Sequence, residues 1–136
     1  MQRRELIELV KRHEGLSLKP YKDSVGRLTI GYGRNLDDEG ITQEEAEILL
    51  ECDITRVIVQ CTSHIAAFGS LDTARQHVLC SMAYNLGVAG VLKFKNMLTA
   101  LEARDFAQAA KEMLASKWAL QVGVRAEELA DMMKSG

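Results

Sequence analysis

The chain has 136 residues, 47% of them hydrophobic and 26% charged, with a formal net charge of −2. That length allows one domain, or one domain in two lobes, and roughly two thirds of the unfolded surface is buried on folding, so a core forms without disulfide or metal staples. No apolar run reaches the roughly 18 residues of a membrane span. Three Tyr, three Phe and one Trp do not supply the basic stripe with stacking aromatics that nucleic-acid binding requires.

The charge is unevenly spread: residues 1–36 carry a net +4, residues 37–61 a net −7 and residues 62–136 a net +1. A basic N-terminal part suits a polyanion, but its simpler reading is a solvated surface. The segment "MQRRELIELVKRHE" interrupts its apolar positions with charges and has no small-residue cleavage site. It is not expected to act as a Sec signal peptide, so the expected place of synthesis is the cytoplasm. Cys52, Cys61 and Cys80 are expected as free thiols there. Cys52 and Cys61 fall in one helical run, about 13 Å apart along its axis, too far for a disulfide. His77 and Cys80 share a helix face, but two ligands without a third make no metal site. Neither a metal nor a cofactor is expected.

In chain order, Leu6, Ile7 and Val10 recur at helical spacing over residues 3–13, and Gly15 follows as a stop. From Ser17 the period changes. Val25-Gly26 marks a turn, and "RLTIGYG" predicts one strand to Gly33, with Leu28, Ile30 and Tyr32 on a packed face and Thr29 among glycines on the other. In "GITQEEAEILLECDITRVIVQC", Thr42 and Glu45 form a capping box for a long helix striped by Ala46, Leu50, Ile54, Val57, Ile58 and Cys61. A loop and a helix ending at Gly87 follow, with Val78, Leu79, Met82, Ala83 and Leu86 as the expected central core. "GVLKFKNMLTALEARD" and "DFAQAAKEMLASKW" each carry helical periodicity, with Asp105 a cap between them and Met97 and Met113 at core positions. A last helix covers Val124 to Met133. The class is α+β, mostly α: a small antiparallel lobe over about 14–41, a connecting helix over about 42–61, and a helical lobe over about 62–136 joined by helix 3–13.

Two carboxylates cut a glycosidic bond when one is protonated and donates to the leaving oxygen while the other, ionised, activates water or attacks carbon. Glu14, ending an apolar helix, is expected to be partly desolvated and suited to the acid role. Asp23 at a hairpin tip is expected wetter and ionised, and the Thr29 hydroxyl is placed to hold a water. Taken singly, each residue also reads as a surface acid, a turn former and a strand former.

The combination is more specific. "HEGLSLKPYKDSVGRLTIGYG" resembles the active-site segment of the phage-type lysozymes, the family 24 glycoside hydrolases, whose pattern is Glu-Gly, Tyr-x-Asp and Gly-x-x-Thr-Ile-Gly-x-Gly. The resemblance extends to "DEGITQEEAEILLECD", "NLGVAGVLKFKNML" and "SKWALQVGVRAEELADMMKSG". It implies a lysozyme-like fold and Glu14 as general acid, Asp23 as second catalytic carboxylate and Thr29 as the residue positioning water. It further implies Asn35, Tyr84 and Asn85 near the sugar, Arg125 in support of Glu14, and cleavage of the β-1,4 bond between N-acetylmuramic acid and N-acetylglucosamine in peptidoglycan. The implied biology is a monomeric endolysin, released to the wall by a separate membrane-permeabilising protein. The chain departs from many relatives in having Arg34 where they have His, and its loop from Asn35 to Ile41 is short beside that of the T-even phage enzyme. A lytic transglycosylase and a non-catalytic wall-binding module are the competing readings; the former manages with one acid, and the latter would lack Glu14 or Asp23. Trp118 reads as core rather than as a sugar platform. Asp53 lies on the apolar stripe of the long helix, and an Asp53–Arg34 ion pair is expected to satisfy it.

Overall fold

The structure is a computed structural model that describes residues 1–136. The chain divides into two compact units, Met1–Ile48 and Leu49–Gly136.

The first unit opens with α1 (Arg3–Glu14), which has no side-chain cap at its start and ends at Gly15. Its apolar face is not packed away. Leu6, Ile7 and Val10 remain 47%, 43% and 41% exposed. Three strands follow, β1 (Ser17–Lys22), β2 (Leu28–Gly31) and β3 (Arg34–Asn35), in an antiparallel sheet of order β1-β2-β3. Ser17 faces Gly31 and Tyr21 faces Thr29, so β1 bulges by two residues between them, which sharpens its bend. The expected single strand from Arg27 to Gly33 is therefore two strands and a turn. Tyr32 and Gly33 form that turn, and Ile30 pairs with Arg34. The faces are also reversed relative to the alternation. Thr29 is buried, while Leu28 and Tyr32 are exposed. Alternation identifies two faces but not which one is covered, and here the thinner threonine face is the covered one.

α2 (Gln43–His64) starts in the first unit and ends in the second. Its capping box forms as the sequence indicates: Glu45 N donates to Thr42 Oγ1 at 3.1 Å, and Thr42 N donates to Glu45 Oε1 at 2.9 Å. Of the anticipated stripe, only Val57 and Cys61 are buried. The Asp53–Arg34 pair does not form. Arg34 binds Glu45 through both guanidinium nitrogens, and Asp53 binds Arg56 at 2.7 Å. Asp53 is half-buried rather than enclosed, and an arginine one helical turn away on the same face reaches it first. Arg34, leaving the sheet at β3, meets the first turn of α2.

The second unit holds the core. After a 3₁₀ turn at Phe68–Ser70, α3 (Thr73–Leu86) is capped by Asp72 and ends at Gly87, whose φ of 76° suits glycine. Val78, Leu79 and Met82 on α3 are wholly inaccessible, which makes α3 the central helix, as its apolar interior indicates. The periodic run after Gly87 is broken in two, α4 (Val88–Leu92) and α5 (Lys95–Glu102), with non-helical Phe94 between. The next run is likewise split. Asp105 caps α6 (Phe106–Leu114), and Ser116 starts a separate α7 (Lys117–Val122) by accepting from Ala119 N. α8 (Val124–Ser135) completes the unit. Met97, Met113 and Met133 fill the centre with no exposed surface, their unbranched side chains suiting the irregular gaps between short helices. No helix is long and apolar enough to cross a membrane.

Candidate active site

Glu14 is the last residue of α1, and β1 begins three residues later. It lines a cavity of about 300 Å³ with Gly15, Leu16, Ser17 and Tyr21. The carboxyl group lies against the β2–β3 turn, where a Cβ built on Gly33 would come within 3.0 Å of Glu14 Oε2 and 3.4 Å of its carboxyl carbon. Glu14 is exposed, contrary to the expected partial desolvation, since the apolar residues of α1 are themselves uncovered.

Asp23 sits where β1 turns toward β2. Its Oδ1 accepts from Val25 N at 3.0 Å and Arg27 N at 2.9 Å, and its own N–H donates to Arg27 O. The side chain thereby builds the turn, as short carboxylates do. Oδ2 has no partner within the chain and is free for chemistry.

Thr29 faces Tyr21 across the β1–β2 pair, two residues before Asp23 on the partner strand. Its hydroxyl donates to Arg27 O at 2.9 Å. With the hydrogen so directed, Oγ1 keeps its acceptor capacity. Glu14 thus lies three residues before β1, Asp23 just past its end and Thr29 on the neighbouring strand, all in the first unit.

The other sequence-predicted residues have local partners. Asn35 closes its own turn, donating from Nδ2 to Asp38 Oδ2 at 2.8 Å and accepting from Asp38 N at 3.1 Å. In the second unit, Tyr84 is exposed near the end of α3. Asn85 Oδ1 accepts from Trp118 Nε1 at 3.0 Å, which leaves its NH₂ donors free. Trp118 is 4% exposed, as its core reading requires, and meets Phe94 edge to face. Arg125 Nη2 donates to Ser81 O and Oγ at 3.2 and 3.1 Å.

Sequence reasoning missed two features. One is the clasp of Arg34 on Glu45, at 3.0 and 2.7 Å. It holds the Glu45 carboxyl well below the usual range, at about 2, with help from the Thr42 backbone. The Thr42–Glu45 capping box was its only available signal. The other is a cavity of about 680 Å³ in the second unit, lined by Met97, Phe94 and Trp118 together with Lys93, Lys95, Lys117 and the carboxylate Glu112. None of these lysines has a carboxylate within salt-bridge range. The spacing of cations around two aromatic residues is visible in the sequence, but their convergence depends on how the short helices fold.

A mostly α protein with a small three-stranded antiparallel sheet has the architecture of a lysozyme-like α+β fold. Residues 11–132 match the family described as phage lysozyme, and the chain belongs to that family. It is 31% identical over 159 aligned positions to the pre-baseplate central spike protein Gp5 of Enterobacteria phage T4, covering 96% of this chain but only 28% of the spike protein. It is 30% identical to probable T4-type lysozyme 1 of Dictyostelium discoideum, covering 95% of this chain and 93% of that one. The endolysin of Acyrthosiphon pisum secondary endosymbiont phage 1 is 35% identical, with 82% of this chain and 75% of that one covered. The chain is accordingly an enzyme of the lysozyme type, a glycoside hydrolase by class.

Proposed function

We propose that this chain is an endolysin that hydrolyses the β-1,4 bond between N-acetylmuramic acid and N-acetylglucosamine in bacterial peptidoglycan, with lysis of the cell as the outcome. The observation that carries the reading is the division of labour in Asp23. One carboxylate oxygen is fixed by two backbone N–H groups, and the other is free. A carboxylate fixed in this way can orient a water without itself moving.

In the proposed reaction Glu14 gives its proton to the glycosidic oxygen as the bond to the muramic acid C1 breaks. Asp23 and Thr29 hold the attacking water, Thr29 accepting one of its hydrogens through Oγ1. The water oxygen bonds to C1 and its proton passes to the Asp23 side, so the products are a reducing muramic acid end and a free hydroxyl. Tyr84 and the free NH₂ of Asn85 are proposed sugar contacts. Asn35 would serve only by giving up Asp38, and Arg125, proposed as a supporting residue, keeps the donors that Ser81 leaves unused. We place the chain's synthesis in the bacterial cytoplasm and its release in the hands of a separate membrane-permeabilising protein, acting as a monomer.

The deciding experiment digests purified peptidoglycan and analyses the new ends. Reducing muramic acid ends are expected. Anhydro ends would instead identify a lytic transglycosylase, and no new ends at all would leave a wall-binding module.

A further inference from the structure

We propose that the Arg34–Glu45 ion pair is a positioning device for the Glu14 carboxyl group, acting through the backbone of Gly33. The inference rests on the reading of Glu14 as general acid and adds to it the residues that hold the acid in place.

The contact that transmits the effect is close. A side chain at position 33 would have its Cβ 3.0 Å from Glu14 Oε2, so the path of the backbone at Gly33 bounds the carboxyl group on that side. That path is not self-determined. Gly31 and Gly33 both have positive φ, 69° and 84°, and glycine is the residue whose backbone is least restricted. On its far side the turn continues into β3, only two residues long, which contributes little pairing of its own.

Two cations supply the missing restraint, one on each side of Gly33. The Lys11 ammonium lies 5.4 Å from the centroid of the Tyr32 ring, and Lys11 is one helical turn before Glu14 on α1. The Arg34 guanidinium donates to Gly40 O at 3.1 Å and to both oxygens of Glu45, at 3.0 and 2.7 Å. A two-pronged guanidinium–carboxylate contact fixes orientation as well as distance, which a lysine does not do. Glu45 is itself tied to the helix start, since its Oε1 also accepts from Thr42 N and its backbone N–H is bonded to Thr42 Oγ1. The chain of restraint therefore runs from the first turn of α2 through Glu45, Arg34 and Gly33 to Glu14, entirely within the first unit. A general acid contributes only when its proton faces the leaving oxygen, and a displacement of about 1 Å is enough to cost on the order of 10²-fold.

The test compares Glu45→Gln, Arg34→Lys and the exchanged pair Arg34→Glu/Glu45→Arg with the parent protein, using purified peptidoglycan and correcting for folded fraction. Glu45→Gln is expected to lower kcat about tenfold with KM unchanged, as loss of alignment in the transition state requires. Arg34→Lys should fall between, and the exchanged pair should recover part of the loss. A carbon-13 signal from the Glu14 carboxyl group is expected to shift in Glu45→Gln without substrate present. If Glu45→Gln and Arg34→Lys both keep kcat within about twofold and leave the Glu14 signal in place, the pair is only a structural clasp and the proposal fails. Glu14→Gln run alongside separates the two levels. An inactive Glu14→Gln with an unaltered Glu45→Gln rejects the positioning device alone, whereas an active Glu14→Gln rejects the general-acid reading beneath it.

Discussion

Between Met1 and Ile48 the only buried side chain is that of Thr29, whereas every buried hydrophobic residue, twenty-one in all, lies from Val57 onward. The first unit is shaped by directional bonds to charged or amide side chains: Asp23 on its turn, Asn35 on Asp38, Asp37 Oδ2 on Leu28 N at 2.7 Å, and Arg34 on Glu45. The second is shaped by close packing around Leu79, Met82 and Met97. Bonds of the first kind set angles and positions at small net stability, and packing of the second kind carries the free energy of folding. The contrast assigns precision to one unit and stability to the other, and substitutions in the two should separate accordingly.

The largest effect is expected from Glu14→Gln. The amide cannot donate an acid proton, and loss of a general acid removes roughly 10²–10⁴-fold in rate. Far-UV circular dichroism and the melting temperature should stay at parental values while clearing of outer-membrane-stripped bacteria ceases. Residual activity above about one percent would break the assignment. The converse is expected of Leu79→Ala, in the packed centre of α3. It should cost about 2–5 kcal/mol in denaturant unfolding, with kcat per folded molecule unchanged. A smaller stability effect accompanies Gly33→Ala, since an L-residue at positive φ costs about 1–2 kcal/mol and its Cβ would press on Glu14. Activity should fall further than stability does; a proportional loss of both would blur the division between the units.

The smallest effect is a matter of pH. Glu45 has its pKa lowered from 4.5 to about 2, chiefly by the Arg34 hydrogen bond. A depressed carboxylate contributes stability above its unfolded pKa and loses it as pH falls through the folded value. The stability difference between the parent and Glu45→Gln should therefore be flat above pH 4.5 and shrink between there and about pH 2. A difference that persists undiminished at pH 2 would show that the pair is not its source.

What could be read in the sequence follows the same division. Helix starts that depend on one side chain three residues ahead, Thr42 with Glu45 and Asp105 with Gln108, were legible because the spacing is the mechanism. The core positions of α3 were legible from periodicity. Glu14, Asp23 and Thr29 stood out as a set through the resemblance of their segment to the phage-type lysozymes, since spacing alone leaves each of them an ordinary surface acid, turn former or strand former. The two-residue β3 was not legible, since two residues carry no period. The break at Phe94 was hidden because apolar residues keep helical spacing across it. The partner of Arg34 was hidden for another reason. Asp53 and Glu45 are both acids on one helix, and choosing between them needs the position of a strand end. Alternation found both faces of β2 but could not say which was covered, and so Thr29 was placed on the open side.

Trp118 has a further consequence. It is the chain's single tryptophan, it belongs to the second unit, and its ring is enclosed, edge-on to Phe94 and bonded to Asn85. Intrinsic fluorescence excited at the red edge therefore observes the second unit alone, while far-UV dichroism samples the helices of both. If the two signals melt at one temperature, the molecule unfolds as a single cooperative body; if dichroism begins to fade first, the bond-built unit opens while the packed one stays closed. The native chain thus carries its own optical label on one side of the Ile48–Leu49 boundary, and no engineered probe is needed to ask whether the two halves melt together.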